Sequence, residues 1–160
     1  MDVATAAKKW GLSERTVKKA VKEKRIRSEG SGPNLTISDD EIAPMREKDI
    51  QGFLWVILRA KNDPSWRPDT SCIQGINDAD VMAVFRQLLF RQYLDMEEED
   101  DCLESSELYL RCRVTEKGFA LTQKKKLPGS IIGNELMAST AKMAFEVIIQ
   151  SIVRLYAQVV

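Results

Sequence analysis

The chain has no histidine among its 160 residues and only three cysteines. Without histidine it lacks the side chain that most often serves as a general base near neutral pH. No Walker loop, GxGxxG turn or GxSxG nucleophile elbow occurs either. Neither catalysis nor a cofactor is therefore expected. Cys72, Cys102 and Cys112 match no zinc-ligand spacing, and no histidine is there to complete one. No metal site is expected. An odd, scattered set of thiols suits the reducing bacterial cytoplasm, with the cysteines serving as small apolar packers. The opening Met1-Asp2-Val3 has no basic stretch leading into an apolar run, so no secretory leader is expected. Hydrophobic residues at 44% and charged residues at 30% exclude a disordered chain and leave enough apolar surface for a core.

Net charge is also absent, but the zero conceals a segregation. Residues 1–28 hold nine Lys or Arg against three acids, and residues 29–160 hold 15 basic against 21 acidic residues. A surplus of six positive charges at one end points to a polyanion there, or to a solvated Lys-rich helix face.

Val3, Ala6, Ala7 and Trp10 recur at helical spacing behind Asp2, a good N-cap. Gly11 ends that helix, and Ser13 caps a second running from about Glu14 to Arg25, with Val17, Ala20 and Val21 inward. Leu12 and Val17 suit a hydrophobic staple around the cap. Small alanines allow a close crossing of two helices joined by a tight turn. Such a crossing leaves Ser13, Glu14, Arg15, Thr16, Lys18, Lys19 and Lys22 facing outward. A helix presented this way reaches base edges in the major groove. Arg15 suits a bidentate contact with guanine, while Lys19 and Lys22 suit phosphates.

Residues 28–37 read as a Gly-rich turn entering a short strand, and Ser38-Asp39-Asp40-Glu41 as the cap and first turn of a further short helix. Residues 47–61 read as a buried helix, 62–76 as a loop, and 78–92 as a helix with Val81, Met82, Val84, Phe85, Leu88 and Leu89 inward. Residues 95–107 contain eight acids and no base and read as a solvated loop. The alternation Leu108, Leu110, Cys112, Val114 predicts a strand. Residues 124–129 read as a turn or linker. Residues 134–160 read as a long helix whose narrow polar stripe is Lys142, Glu146, Gln150, Arg154 and Gln158. Its charges argue against a membrane span. A helix so widely apolar needs a partner, most simply a second copy of the chain. Met137, Ala141, Ala144, Ile148, Ile152, Leu155 and Val159 would face that copy. Phe145, Ile149, Val153 and Tyr156 would pack on the chain itself; in the competing reading the whole helix folds back into the monomer core.

The segment DVATAAKKWGLSERTVKKAVKEKRI, continued by GSGPNLTISDDEI, resembles the winged helix–turn–helix of excisionase-like and MerR-like proteins. The resemblance implies a recognition helix at residues 13–24 and a wing at residues 28–34. Family wings often carry Arg or Lys at the turn. Here the wing has none and includes Glu29, so Arg25 and Arg27, just before it, become the substitute contacts. FRQLLFRQYLDM, ELYLRCRV and VTEKGFALT resemble parts of PadR-like and MarR-like winged-helix repressors. There the Thr-Glu-Lys-Gly run follows a wing strand and begins a helix. An acidic wing would be repelled by phosphate, so this module reads as a scaffold or partner surface rather than a second DNA reader, in which Arg86 and Arg91 would be the contacts.

The expected architecture is mainly α with short β wings. It comprises a winged helix–turn–helix at residues 1–45, a winged-helix-like module at 46–127 and a C-terminal oligomerisation helix at 134–160. The expected function is sequence-specific binding of double-stranded DNA by a cytoplasmic homodimer, as a transcriptional regulator or a mobile-element factor. The alternative is a protein–protein adaptor that uses the same helices without nucleic acid.

Overall fold

The computed structural model describes residues 1–62, 78–96, 111–125, 127, 150 and 152–157. These are mainly helical, with two small antiparallel two-stranded sheets. No helix among them is long and apolar enough to cross a membrane.

Helix α1 spans Val3–Trp10, and the Asp2 carboxylate accepts from the Thr5 amide at 2.7 Å as its cap. Gly11, at φ +65°, reverses the chain, and the Leu12 amide bonds back to the Ala7 carbonyl at 2.9 Å. Only a residue tolerant of the left-handed region closes a helix this tightly. Helix α2 follows at Glu14–Lys22, capped by the Ser13 hydroxyl, which accepts from the Thr16 amide at 3.1 Å. It is shorter than residues 13–24. Lys24 takes φ +55°, and the Arg25 amide turns back to the Ala20 carbonyl, ending the helix without a glycine. Ala6, Ala7, Trp10, Val17 and Ala20 are buried between the two helices and the rest of the core, with Val3, Leu12 and Val21 half-buried beside them.

Strands β1 (Ser28–Glu29) and β2 (Thr36–Ile37) pair antiparallel, joined through a 3-10 turn at Gly32–Asn34. The sequence showed only the second of these strands, because Ser28-Glu29 has no apolar alternation to mark it. Gly30 is required: at φ +76° a Cβ there would stand 2.4 Å from the Asn34 carbonyl oxygen.

The short helix expected from Ser38 does not form. Residues 38–41 make a single turn, with the Glu41 amide bonded to the Ser38 carbonyl at 3.0 Å, and residues 41–46 form no regular structure. Pro44 disfavours helical geometry at Ala43, and side chains from elsewhere take up the backbone groups of this strap. Gln87 accepts from the Met45 amide at 2.9 Å and donates to the carbonyls of Ile42 and Ala43, each at 3.2 Å. Arg91 donates to the Met45 carbonyl at 2.8 Å. The Tyr156 hydroxyl accepts from the Arg46 amide at 3.2 Å. An irregular segment can be buried only when its polar groups are satisfied in this way.

Helix α3 is Glu47–Asn62 and α4 is Asp78–Phe90. Ile50, Phe53, Leu54 and Ile57 on the first and Val81, Val84, Phe85 and Leu88 on the second share the i, i+3, i+4, i+7 pattern, and all are buried. Phe53 and Phe85 meet edge to face, 5.5 Å between centroids. Gln92, at φ +63°, turns the chain from α4 into β3 (Leu94–Met96), which pairs antiparallel with β4 (Cys112–Val114). Asp95 and Met96, expected in a solvated acidic loop, belong to β3 instead. Asp95 lies opposite Arg113 across the ladder and ion-pairs with it at 2.9 Å, a cross-strand partner that no local pattern reveals.

Helix α5, Glu116–Gln123, is capped by Thr115, whose hydroxyl accepts from the Gly118 amide at 3.2 Å. A Cβ on Gly118 would come within 2.6 Å of both the Tyr93 carbonyl oxygen and Val114 Cγ1, so the glycine lets α5 lie directly on the β3–β4 sheet. Lys117 stands over the Tyr93 ring at 4.4 Å. The end of α5 is closed by α3: Gln51 donates to the Leu121 and Lys124 carbonyls, and the Trp55 indole to that of Thr122 at 2.9 Å.

Of the C-terminal segment, Val153–Ala157 forms a π-helical turn against α4. Val153 and Tyr156 are buried in the chain's own core, and so is Ile152, which had been assigned to a partner copy. The buried core residues form one continuous cluster from Ala6 to Tyr156. The loop expected over 63–76, the acids from Glu97 to Glu107, Leu108 and Leu110, Cys72 and Cys102, and the helix expected over 134–149 lie outside the described residues.

Candidate nucleic-acid interface

With Val17 and Ala20 turned inward, the 100° step of a helix places Arg15, Lys19 and Lys22 on the opposite ridge and Lys18 beside them. Arg15, Lys18, Lys19, Lys22 and Glu23 line an open depression of about 580 Å³. The basic stripe from Arg15 to Lys22 runs about 10 Å along the axis, from a rise of about 1.5 Å per residue. That length fits inside a major groove about 12 Å wide. No described residue forms an ion pair with these four cations.

Ser13, Glu14 and Thr16 lie exposed at the start of α2, next to Arg15. The Ser13 and Thr16 hydroxyls bond to each other at 2.8 Å while Ser13 also caps the helix, so both are fixed in place. Glu14 is the acidic group at this end and suits acceptance from a cytosine amino group.

Arg25 and Arg27 are placed differently. Arg25 is half-buried beside the end of α2, its Nε 2.9 Å from Glu23. Arg27 faces into the molecule: its Nε donates to Glu41 at 3.0 Å and its terminal nitrogen to Asp40 at 3.2 Å, leaving the side chain 22% exposed. Its charge is already matched by two carboxylates. The residue that sequence reasoning missed is Glu41, which is fully buried. An acid in a run of three acids reads as a solvated helix start. Only the return of Arg27 and Gln87 to the same point shows its role.

In the second half, Arg91 is buried and cannot reach a ligand on the surface. Arg86 is exposed but ion-pairs with Asp40 at 2.9 Å. Helix α4 buries Val81, Ala83, Val84, Phe85, Gln87 and Leu88 and leaves Ala79, Arg86 and Phe90 exposed. Among the described residues no cluster of three or more His, Cys, Asp or Glu could hold a metal ion.

Compared with protein-family models, curated proteins and solved structures, the chain has no match.

Proposed function

We propose that the protein binds double-stranded DNA sequence-specifically, reading the major groove with α2 and acting as a regulator or mobile-element factor. The observation that carries this reading is the basic face of α2: four cations with no ion-pair partner among the described residues on one exposed ridge, beside the exposed polar groups of Ser13, Glu14 and Thr16. The arrangement α1, tight turn, α2, hairpin supports a winged helix–turn–helix reading, with residues 28–37 as the wing. The turn of that hairpin, residues 30–34, carries no base. Its contribution is therefore fit along the backbone rather than charge. The second half serves as a scaffold in this reading, since α4 buries six of its side chains and its exposed arginine, Arg86, is held by Asp40.

Two measurements test the proposal. Titrating labelled protein with a duplex selected from random DNA should shift the amides of Glu14, Arg15, Lys18, Lys19 and Lys22 and leave those of α4 in place. Arg15→Ala should cost about 1–3 kcal/mol of binding and relax the sequence preference. Shifts confined to other surfaces, with Arg15→Ala binding as wild type, would remove α2 from the interface and favour an adaptor role.

A further inference from the structure

We propose that Arg27 and Glu41 form a positioning pair that fixes the basic helix and its hairpin against the second half of the molecule, and that Arg27 is not a nucleic-acid contact. The inference rests on the DNA-binding reading for its consequence, but not for its geometry.

The Glu41 carboxylate joins two parts of the chain. Its Oε2 accepts from the Arg27 amide at 2.8 Å and from Arg27 Nε at 3.0 Å. Its Oε1 accepts from the Ile42 amide at 2.9 Å and from Gln87 Nε2 at 3.3 Å. All four partners are donors, so a neutral amide at this position could serve only one side and would turn its own NH2 against the other. Arg27 lies at the base of the hairpin, where its carbonyl accepts from the Ser38 amide. Gln87 lies in the middle of α4. The carboxylate thus ties the hairpin base to α4 through one buried group. Asp40 repeats the link at the surface, bonding Arg27 at 3.2 Å and Arg86 at 2.9 Å. Gln87 and Arg91 hold the strap that follows. A flexible linker between two halves would leave its polar groups to water. Here they are bonded to Gln87 on α4, to Arg91 just after it and to Tyr156, which sets a single orientation.

The roles of contact and positioning predict opposite signs. If Arg27 were a phosphate contact muted by Glu41, Glu41→Gln would release it and DNA affinity would rise. Arg27→Met would then lower the magnitude of the slope of log affinity against log salt by about one unit. As a positioning pair, both substitutions weaken binding in the same direction, by a factor of about ten, as when one anchoring interaction is lost. The salt slope in Arg27→Met stays at the wild-type value.

The experiment is made on the full chain. Residual dipolar couplings are recorded for the amides of α1–α2 and of α3–α4 in wild type, Glu41→Gln and Arg27→Met, and binding to a selected duplex is measured across salt. Wild type is expected to fit one alignment tensor over both helix pairs. Each variant is expected to need two, with the amide shifts within each pair retained. A single tensor in both variants, or higher affinity in Glu41→Gln, overturns the proposal. If one variant does not fold, the other carries the test. If wild type binds no duplex, the DNA-binding reading fails while the tensors still decide the orientation claim.

Discussion

Helices α2 and α4 each run into a strand of a two-stranded antiparallel sheet, yet they meet solvent in opposite ways. Helix α2 buries Val17 and Ala20 and leaves its remaining circumference half-buried or exposed, most of it charged. Helix α4 buries six side chains, including the amide of Gln87, and its one exposed arginine is tied to Asp40. The same local order of elements therefore produces an open, charged face in one place and a packing element in the other. What separates them is how much of the helix the rest of the chain covers. A helix-then-hairpin pattern is thus weak grounds for assigning a DNA reader. The charge on the uncovered face is the discriminating feature.

The largest expected contrast is in stability. Phe85→Ala removes a buried ring that meets Phe53 edge to face and should cost about 3–5 kcal/mol in urea unfolding. Lys19→Ala, on the open ridge, should stay within about 0.5 kcal/mol of wild type. Comparable losses for the two would erase the distinction between the helices. A smaller effect comes from Gly118. Placing a methyl 2.6 Å from the Tyr93 carbonyl and Val114 forces α5 off the β3–β4 sheet, and Gly118→Ala should cost about 1–3 kcal/mol in the same assay.

These two sites also show how far the sequence could be read. The helical spacing of Val3, Ala6, Ala7 and Trp10 and the caps at Asp2 and Ser13 are local signals, and local capping determines what the chain does there. The same holds for Thr115 and Gly118, where a short run encodes a cap and a close approach. The rest depended on distant partners. Asp95 looks like the start of a solvated acid run until Arg113 pairs with it across the ladder. Glu41 looks like part of a helix's first turn until Arg27, 14 residues earlier, and Gln87, 46 residues later, converge on it. Arg27 is for that reason the site residue placed differently from expectation. Its charge is visible in the sequence, but not the carboxylate that takes it up. The ridge of Arg15, Lys18, Lys19 and Lys22 was legible because one helical period sets it.

The subtlest contrast is a titration. Burial, followed by its bond to Asp49, pushes the Tyr156 phenol up to about 12. The folded state favours the neutral phenol. Its contribution to stability is therefore complete below the ordinary phenol range near 10 and is lost as pH rises through about 12. An absorbance titration of tyrosinate should show one late step, absent in Tyr156→Phe. Loss of that step in wild type would mean that the C-terminal turn does not hold Tyr156 against the strap. Unlike the basic ridge, this part of the chain has its polar chemistry turned inward.

The claim that matters most is that the uncovered ridge of α2 meets a polyanion, and the salt dependence of duplex binding tests it most directly. Each phosphate neutralised contributes about 0.9 to the slope of log affinity against log salt. Four cations on the ridge predict a wild-type slope of roughly −3 to −4. Replacing Lys18, Lys19 and Lys22 with alanine should leave the protein folded and lower the magnitude of that slope by roughly 3. A flat wild-type response, or an unchanged slope in the triple variant, would contradict the account.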